Sequence, residues 1–200
     1  MNILCKNPLI KYYDNFITDE ECEFIINASK DNMKRADVSD KSIDINTYTG
    51  RTNKSHWIPL DKYELLKNLA IRISKIIGLN DYKKFESFQV IYYTKGQEYK
   101  YHYDAYDKND KEKYEQYCQK GNRLATVLCY LNNVTKGGGT GFDSIEGRSE
   151  PLIIEPVKGR MVVFQNVHAD GSLHHESRHA GLPVEDGEKW AFNLWVREKE

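Results

Sequence analysis

From Phe85 onward the chain is cut by glycines into short segments, and this constrains its fold more than any other feature. Phe88–Tyr93, Tyr99–Asp104, Leu124–Leu131, Leu152–Ile154, Arg160–Phe164 and Lys189–Arg197 read as strands, being rich in β-branched and aromatic residues. Gly96, Gly121, the Gly137–Gly139 run, Gly147, Gly159, Gly171, Gly181 and Gly187 separate them. Upstream the pattern is helical. Thr18 followed by Glu21 forms a capping box, and Cys22, Ile25, Ile26, Ser29 and Met33 then recur on one face. A second helix is predicted from about Asp61 to Ile77. Leu65, Leu66, Leu69, Ile73, Ile76 and Ile77 point inward along it, and Gly78 stops it. Between the helices, Ala36 to Gly50 is polar and weakly periodic, which suggests a short strand and a mobile loop. Helices first, then a string of strands, predicts an α+β chain whose sheet closes into a sandwich or barrel.

Charge and cysteine usage narrow the function classes. Lysine and arginine total 29 against 30 acidic residues, a net charge of −1, so no basic field favours nucleic acid or an anionic membrane. The first 16 residues lack a basic stretch followed by an apolar run, and no segment approaches the roughly 20 apolar residues of a bilayer span. Cys5, Cys22, Cys118 and Cys129 show no CxxC spacing, so reduced thiols are expected in a cytoplasmic setting.

The chemistry concentrates at Tyr101-His102-Tyr103-Asp104. Side chains two apart in a strand share a face, so His102 and Asp104 can reach one metal while both tyrosines face away. A third ligand from a distant strand would make two histidines and a carboxylate, with the opposite face of an iron left open. Alone the spacing is a weak signal. Six histidines and 14 aspartates yield about 0.4 such pairs by composition, and His174-His175-Glu176 is a rival of the same form. Near the C-terminus a strand alternates: Trp190, Phe192, Leu194 and Val196 form an apolar face, while Lys189, Ala191, Asn193, Trp195 and Arg197 form a mixed one. Lys189 on an inner face would need an anionic partner; on a face near solvent it would simply be exposed.

These residues resemble the prolyl 4-hydroxylase branch of the Fe(II)/2-oxoglutarate-dependent oxygenases, over most of the chain and best from Phe88 to Arg197. The matching blocks are Tyr93 to Asp104, Arg123 to Leu131 with the Gly137–Thr140 turn, and His179-Ala-Gly-Leu-Pro183-Val, ten residues before Lys189. Arg51-Thr52-Asn53 and Trp57 match a segment upstream of this core. The resemblance implies a double-stranded β-helix (jelly-roll) catalytic core in residues 85–200, on which N-terminal helices and outer strands in residues 1–84 pack as one integrated domain. It also implies that His102, Asp104 and His179 bind Fe(II), and that Lys189 pairs with the distal carboxylate of 2-oxoglutarate, helped by the hydroxyls of Tyr93 and Thr126. A structural hydrogen bond is the alternative for either hydroxyl. Trp195 and Tyr99 match positions that meet a peptide substrate, with core packing the alternative for Trp195, and Tyr99 lies three residues from His102 and faces away unless a bulge re-aims it. His168, His174 and His175 lie in a loop-like stretch, so His179 is the preferred distal ligand.

The implied activity is hydroxylation of prolyl residues in a peptide or protein. Dioxygen would be consumed, 2-oxoglutarate decarboxylated to succinate, and ascorbate would serve as reductant. The alternatives are the same oxygenase core acting on another side chain, a nucleobase or a small molecule, or a catalytically silent peptide-binding barrel. The long polar segments Ala36–Trp57 and Ala105–Gly121 suit lids over the barrel mouth, the second being a charged loop or a short helix. Three departures from the family pattern stand out: Gly139 and Arg160 each stand where an acidic residue is common, and the residues just before the distal histidine, His175-Glu-Ser-Arg178, also differ.

Overall fold

The computed structural model describes residues 1–38, 43–45 and 47–199. Fourteen strands follow one another among them. β1 (Asn2–Lys6), β2 (Leu9–Tyr13), β3 (Lys34–Arg35), β4 (Lys54–Ile58), β5 (Phe88–Tyr93), β6 (Tyr99–His102) and β7 (Arg123–Tyr130) come first. β8 (Lys136–Gly137), β9 (Thr140–Phe142), β10 (Leu152–Ile154), β11 (Met161–Gln165), β12 (His179–Gly181), β13 (Val184–Asp186) and β14 (Lys189–Arg197) complete the set. Three α-helices, α1 (Asp19–Ser29), α2 (Glu64–Ile77) and α3 (Lys111–Tyr117), and three short 3-10 turns lie between them.

The strands form an eight-stranded sheet, β1-β2-β11-β7-β14-β5-β4-β3, and a four-stranded sheet, β10-β9-β12-β6. A small β13-β8 pair stands beside them. Two apolar layers result, one on each face of the large sheet. On the outer face, Trp190, Phe192, Leu194 and Val196 of β14 pack with Leu66, Leu69, Ala70 and Ile73 of α2 and with Cys22 and Ile25 of α1. On the inner face, Ile91, Leu128, Tyr130, Ala191 and Phe164 meet Phe142, Leu152 and Ile154 of the small sheet. This is the jelly-roll arrangement in which two antiparallel sheets enclose a barrel. At about 1.5–3 kcal/mol for each fully enclosed aliphatic or aromatic side chain, the two layers supply the main driving force for folding.

Local signals account for most element ends. The Thr18 hydroxyl accepts from Glu21 N at 3.2 Å, while the Glu21 carboxylate accepts from Thr18 N at 3.0 Å, so the capping box is complete. Gly78 ends α2 at φ +81°, a left-handed conformation that a β-carbon disfavours. β5, β10 and β14 run over the residues expected of them. Three expectations need correction. Ile76, placed inward on α2, is 45% exposed. The N-terminal strands β1 and β2 join the large sheet through β11, in a region expected to begin with helix. The short strand expected within Ala36–Gly50 falls just before it, as β3; residues 39–42 and 46 lie outside the described residues. All four cysteines are free, and among the described residues no helix is long and apolar enough to cross a membrane.

Candidate active site

The site forms where β6, β12 and the inner face of β14 converge. β12 pairs with β6 so that His179 stands opposite His102. Between that pair and Gly181↔Tyr99 the register slips by one residue, a bulge carried by β6. Asp104 lies just past the end of β6 and is 6% exposed. Oδ1 of Asp104 is 3.7 Å from His102 Nε2, and Oδ2 is 3.5 Å from His179 Nε2. One ligand atom from each of His102, Asp104 and His179 lies within 4.8 Å of the others, close enough for the three to hold a single ion.

The rings are oriented for that purpose. Nδ1 of His102 donates to Lys100 O at 2.8 Å, and Nδ1 of His179 donates to Ser177 O at 2.9 Å. A carbonyl can only accept, so each Nδ1 carries the proton and each Nε2 presents a lone pair toward Asp104. Tyr99 stacks on His102 at 3.6 Å between centroids, and Phe164 packs edge-on to His179 at 4.7 Å. Burial alone would raise the Asp104 carboxyl, but His179 and His102 outweigh it and hold it well below the usual carboxylate range. Burial pulls the His179 ring down to about 4, against the opposing pull of Asp104, so it is neutral and ready to bind a metal at pH 7.

Beside these residues lies a cavity of about 260 Å³, walled by His102, Asp104, His179, Tyr93, Thr140, Lys189, Asn193, Trp195, Arg51 and Trp57, among others. Lys189 is 1% exposed at its wall and has no carboxylate partner among the described residues. Its ammonium instead faces the rings of Tyr93 and Tyr130, at 5.1 and 5.4 Å from their centroids. Burial pulls the ammonium down to about 7. The reading of Lys189 as an exposed residue is thereby overturned. Burial raises the Tyr93 hydroxyl to about 12, so it stays protonated and able to donate.

Thr126 stands elsewhere than expected. Its hydroxyl donates to Asp104 Oδ2 at 2.6 Å and accepts from Asn166 Nδ2 at 2.9 Å, so it supports the carboxylate and does not line the cavity. Thr140 is the threonine on the cavity wall, its Oγ1 2.7 Å from the Tyr130 hydroxyl. The Gly137–Thr140 turn was the available signal for it. Tyr99, by contrast, reaches the cavity because the bulge in β6 turns it to the side of His102.

Toward the mouth, Trp195 lies beneath the Arg123 guanidinium at 3.7 Å and beside Trp57 at 5.7 Å. Glu86 fixes Arg123 through bonds of 2.6 and 2.9 Å and also pairs with Arg197. The Trp195 indole N–H is buried without a partner among the described residues. Arg51, over the Tyr99 ring at 4.4 Å, completes this aromatic and cationic rim.

A jelly-roll barrel with two histidines and one carboxylate converging at its inner wall, beside a buried cation, defines the class of non-haem iron oxygenases that use an oxo-acid cosubstrate. Residues 88–197 match the model of the 2OG-Fe(II) oxygenase superfamily. Across 94% of its length the chain is 32% identical to probable prolyl 4-hydroxylase 6 of Arabidopsis thaliana, 69% of which is covered. It is also 32% identical over 97% of its length to prolyl 4-hydroxylase subunit alpha-1 of Homo sapiens, 35% of which is covered. The chain thus spans about a third to two thirds of these longer relatives. The crystal structure of the viral collagen prolyl hydroxylase from Paramecium Bursaria Chlorella virus-1, in its 2OG complex, superposes with a TM-score of 0.73 at 30% identity, covering 97% of this chain and 98% of that one. The chain belongs to the prolyl 4-hydroxylase family of the 2OG-Fe(II) oxygenase superfamily.

Proposed function

We propose that this protein hydroxylates prolyl residues in a peptide or protein, using Fe(II), 2-oxoglutarate and dioxygen, with ascorbate as reductant. The observation that carries the reading is Lys189, a buried cation with no carboxylate partner among the described residues, on the wall of the cavity that also holds His102, Asp104 and His179. A buried charge is costly unless something pairs with it. A small dicarboxylate with one carboxylate at Lys189 and the other end near the histidines would resolve that cost.

The donor set fits ferrous iron: the two imidazole Nε2 atoms of His102 and His179 and the Asp104 carboxylate would hold it. Iron bound there, with 2-oxoglutarate and dioxygen, supplies the oxidation of a C–H bond to an alcohol while 2-oxoglutarate becomes succinate and CO2. The chain's own residues orient and enclose these partners. Lys100 and Ser177 carbonyls hold the two rings in the ligating tautomer, and Thr126 holds Asp104. In this reading Tyr93 donates its hydroxyl to the cosubstrate, and we assign the second hydroxyl to Thr140 rather than Thr126. Trp195, Tyr99 and Trp57 offer aromatic faces for a pyrrolidine ring, and the free indole N–H of Trp195 can donate to a peptide carbonyl. A net charge of −1 gives no support to a nucleobase substrate.

The test is turnover of 2-oxoglutarate to succinate with Fe(II), ascorbate and a panel of proline-rich peptides, comparing the wild type with His179→Ala. Peptide-stimulated turnover with a product heavier by one oxygen, lost in the variant, is the expected result. Turnover that no peptide stimulates would redirect the search to another substrate. Failure to bind either Fe(II) or 2-oxoglutarate would end the oxygenase reading.

A further inference from the structure

Outside the cavity, a second group of side chains has the chemistry of a metal site. Past β11 the chain forms a tight hairpin in which His174 N donates to Asn166 O at 2.9 Å and His168 N donates to Ser172 O at 2.8 Å. Val167 bridges Leu173 between them. In this register Asn166 stands opposite His174, so His168 is the diagonal neighbour of His174 on the same face. Their rings lie 3.9 Å apart between centroids, tilted by 22°. The turn at His175–Ser177 then brings Glu176 back, with Oε2 2.8 Å from His174 Nδ1. One ligand atom from each of His168, His174 and Glu176 lies within 4.8 Å of the others.

The His174 ring, 1% exposed, is held from both ends. Nε2 faces Asn7 Oδ1 at 3.0 Å, and Nδ1 faces the Glu176 carboxylate. Both neighbours are acceptors, and a neutral imidazole has one N–H. With that hydrogen on Nε2, the lone pair of Nδ1 faces the carboxylate, a contact that a cation between them would relieve; with it on Nδ1, Glu176 is satisfied and Asn7 Oδ1 is the acceptor left over. Burial lowers the pKa of the His174 ring, which disfavours a second proton there. A metal ion would use His168, His174 and Glu176 together. Fixing a ligating histidine through its far ring nitrogen, here toward Asn7, is how metal sites set the tautomer. Two imidazoles and a carboxylate are a donor set suited to zinc-like ions.

We propose that His168, His174 and Glu176 bind a second divalent transition-metal ion of the zinc class. His174 ligates through Nδ1, His168, the exposed member, turns its ring to meet the ion, and water completes the shell. The site also adjoins the distal histidine of the cavity. His174 O accepts from the Ser177 hydroxyl at 2.7 Å, and Ser177 O accepts from His179 Nδ1 at 2.9 Å. An ion on His174 therefore pins the turn that aims His179.

The experiment is equilibrium dialysis of the tag-free full chain against Zn(II) alone, for the wild type, His168→Ala, Glu176→Gln and His102→Ala. His168 is exposed and Glu176 half-buried, so neither change opens the core. Two equivalents are expected in the wild type, one in each single variant, and none in the His168→Ala/His102→Ala double variant. A single equivalent in the wild type, lost in His102→Ala and kept in His168→Ala, would overturn the proposal. Two equivalents retained in both His168→Ala and Glu176→Gln would also overturn it.

Discussion

Lys189 shows how one side chain ties stability to ligand binding. Its pKa falls from the ordinary lysine value of 10.5 to about 7, with burial as the cause. Below about 7 both native and unfolded chains are protonated there, and the native state bears the full cost of a buried charge. Between about 7 and 10.5 the unfolded chain keeps a proton that the native chain has lost, so this group's contribution makes stability rise with pH. Lys189→Met should therefore raise Tm more at pH 6.5 than at pH 10, as read by thermal denaturation of the ligand-free protein. The same residue predicts the pH dependence of 2-oxoglutarate binding. A dicarboxylate needs the ammonium charged, so above pH 7 binding must take up a proton, and affinity falls by up to about tenfold per pH unit. Titration calorimetry with Mn(II), in two buffers of different ionisation enthalpy, would reveal that uptake; its absence would remove Lys189 from the cosubstrate's contacts.

The residue scale also marks where reading the chain alone stopped. Alternation along Lys189–Arg197 was legible because a period of two separates an apolar face from a mixed one whatever the partners are. Thr126 was not resolved in the same way. It shares the inner face of β7 with Leu128 and Tyr130, but parity does not say which neighbour a hydroxyl meets along the strand. That depends on Asp104 and Asn166, which arrive from distant segments.

At the scale of elements, the endings of helices were the most readable and the short strands the least. Gly78 carries the left-handed turn after α2, and a β-carbon added there would meet no atom within 4 Å. Gly78→Ala should thus cost about 1 kcal/mol through backbone conformation and not through a clash. Denaturant unfolding would measure it, and an unchanged midpoint would show that the C-terminus of α2 is not held by this turn. By contrast, β12 has three residues and no periodicity to read; β6 and β9 on its two sides define it. The bulge in β6 belongs to the same category. It brings Tyr99 onto the side of His102, and only the pairing with β12 reveals it.

Across the whole molecule, one large sheet carries two functions on its two faces. The outer face meets α1 and α2, and the inner face meets the cavity and the small sheet. Leu69, fully buried on the outer side, should on replacement by alanine cost about 2–5 kcal/mol of stability. Affinity for 2-oxoglutarate should stay unchanged well below the new midpoint. A parallel loss of affinity at low temperature would mean that the two layers are mechanically coupled.

The alternation of β14 has a consequence for how such a protein can change over generations. Trp190, Phe192, Leu194 and Val196 hold the helices, while Lys189, Asn193 and Trp195 face the cavity. Heritable variation at positions 193 and 195 can alter which substrates are accepted while leaving the helix-packing residues untouched. A single nine-residue strand thus lets selection revise chemistry and architecture on alternate letters of the same word.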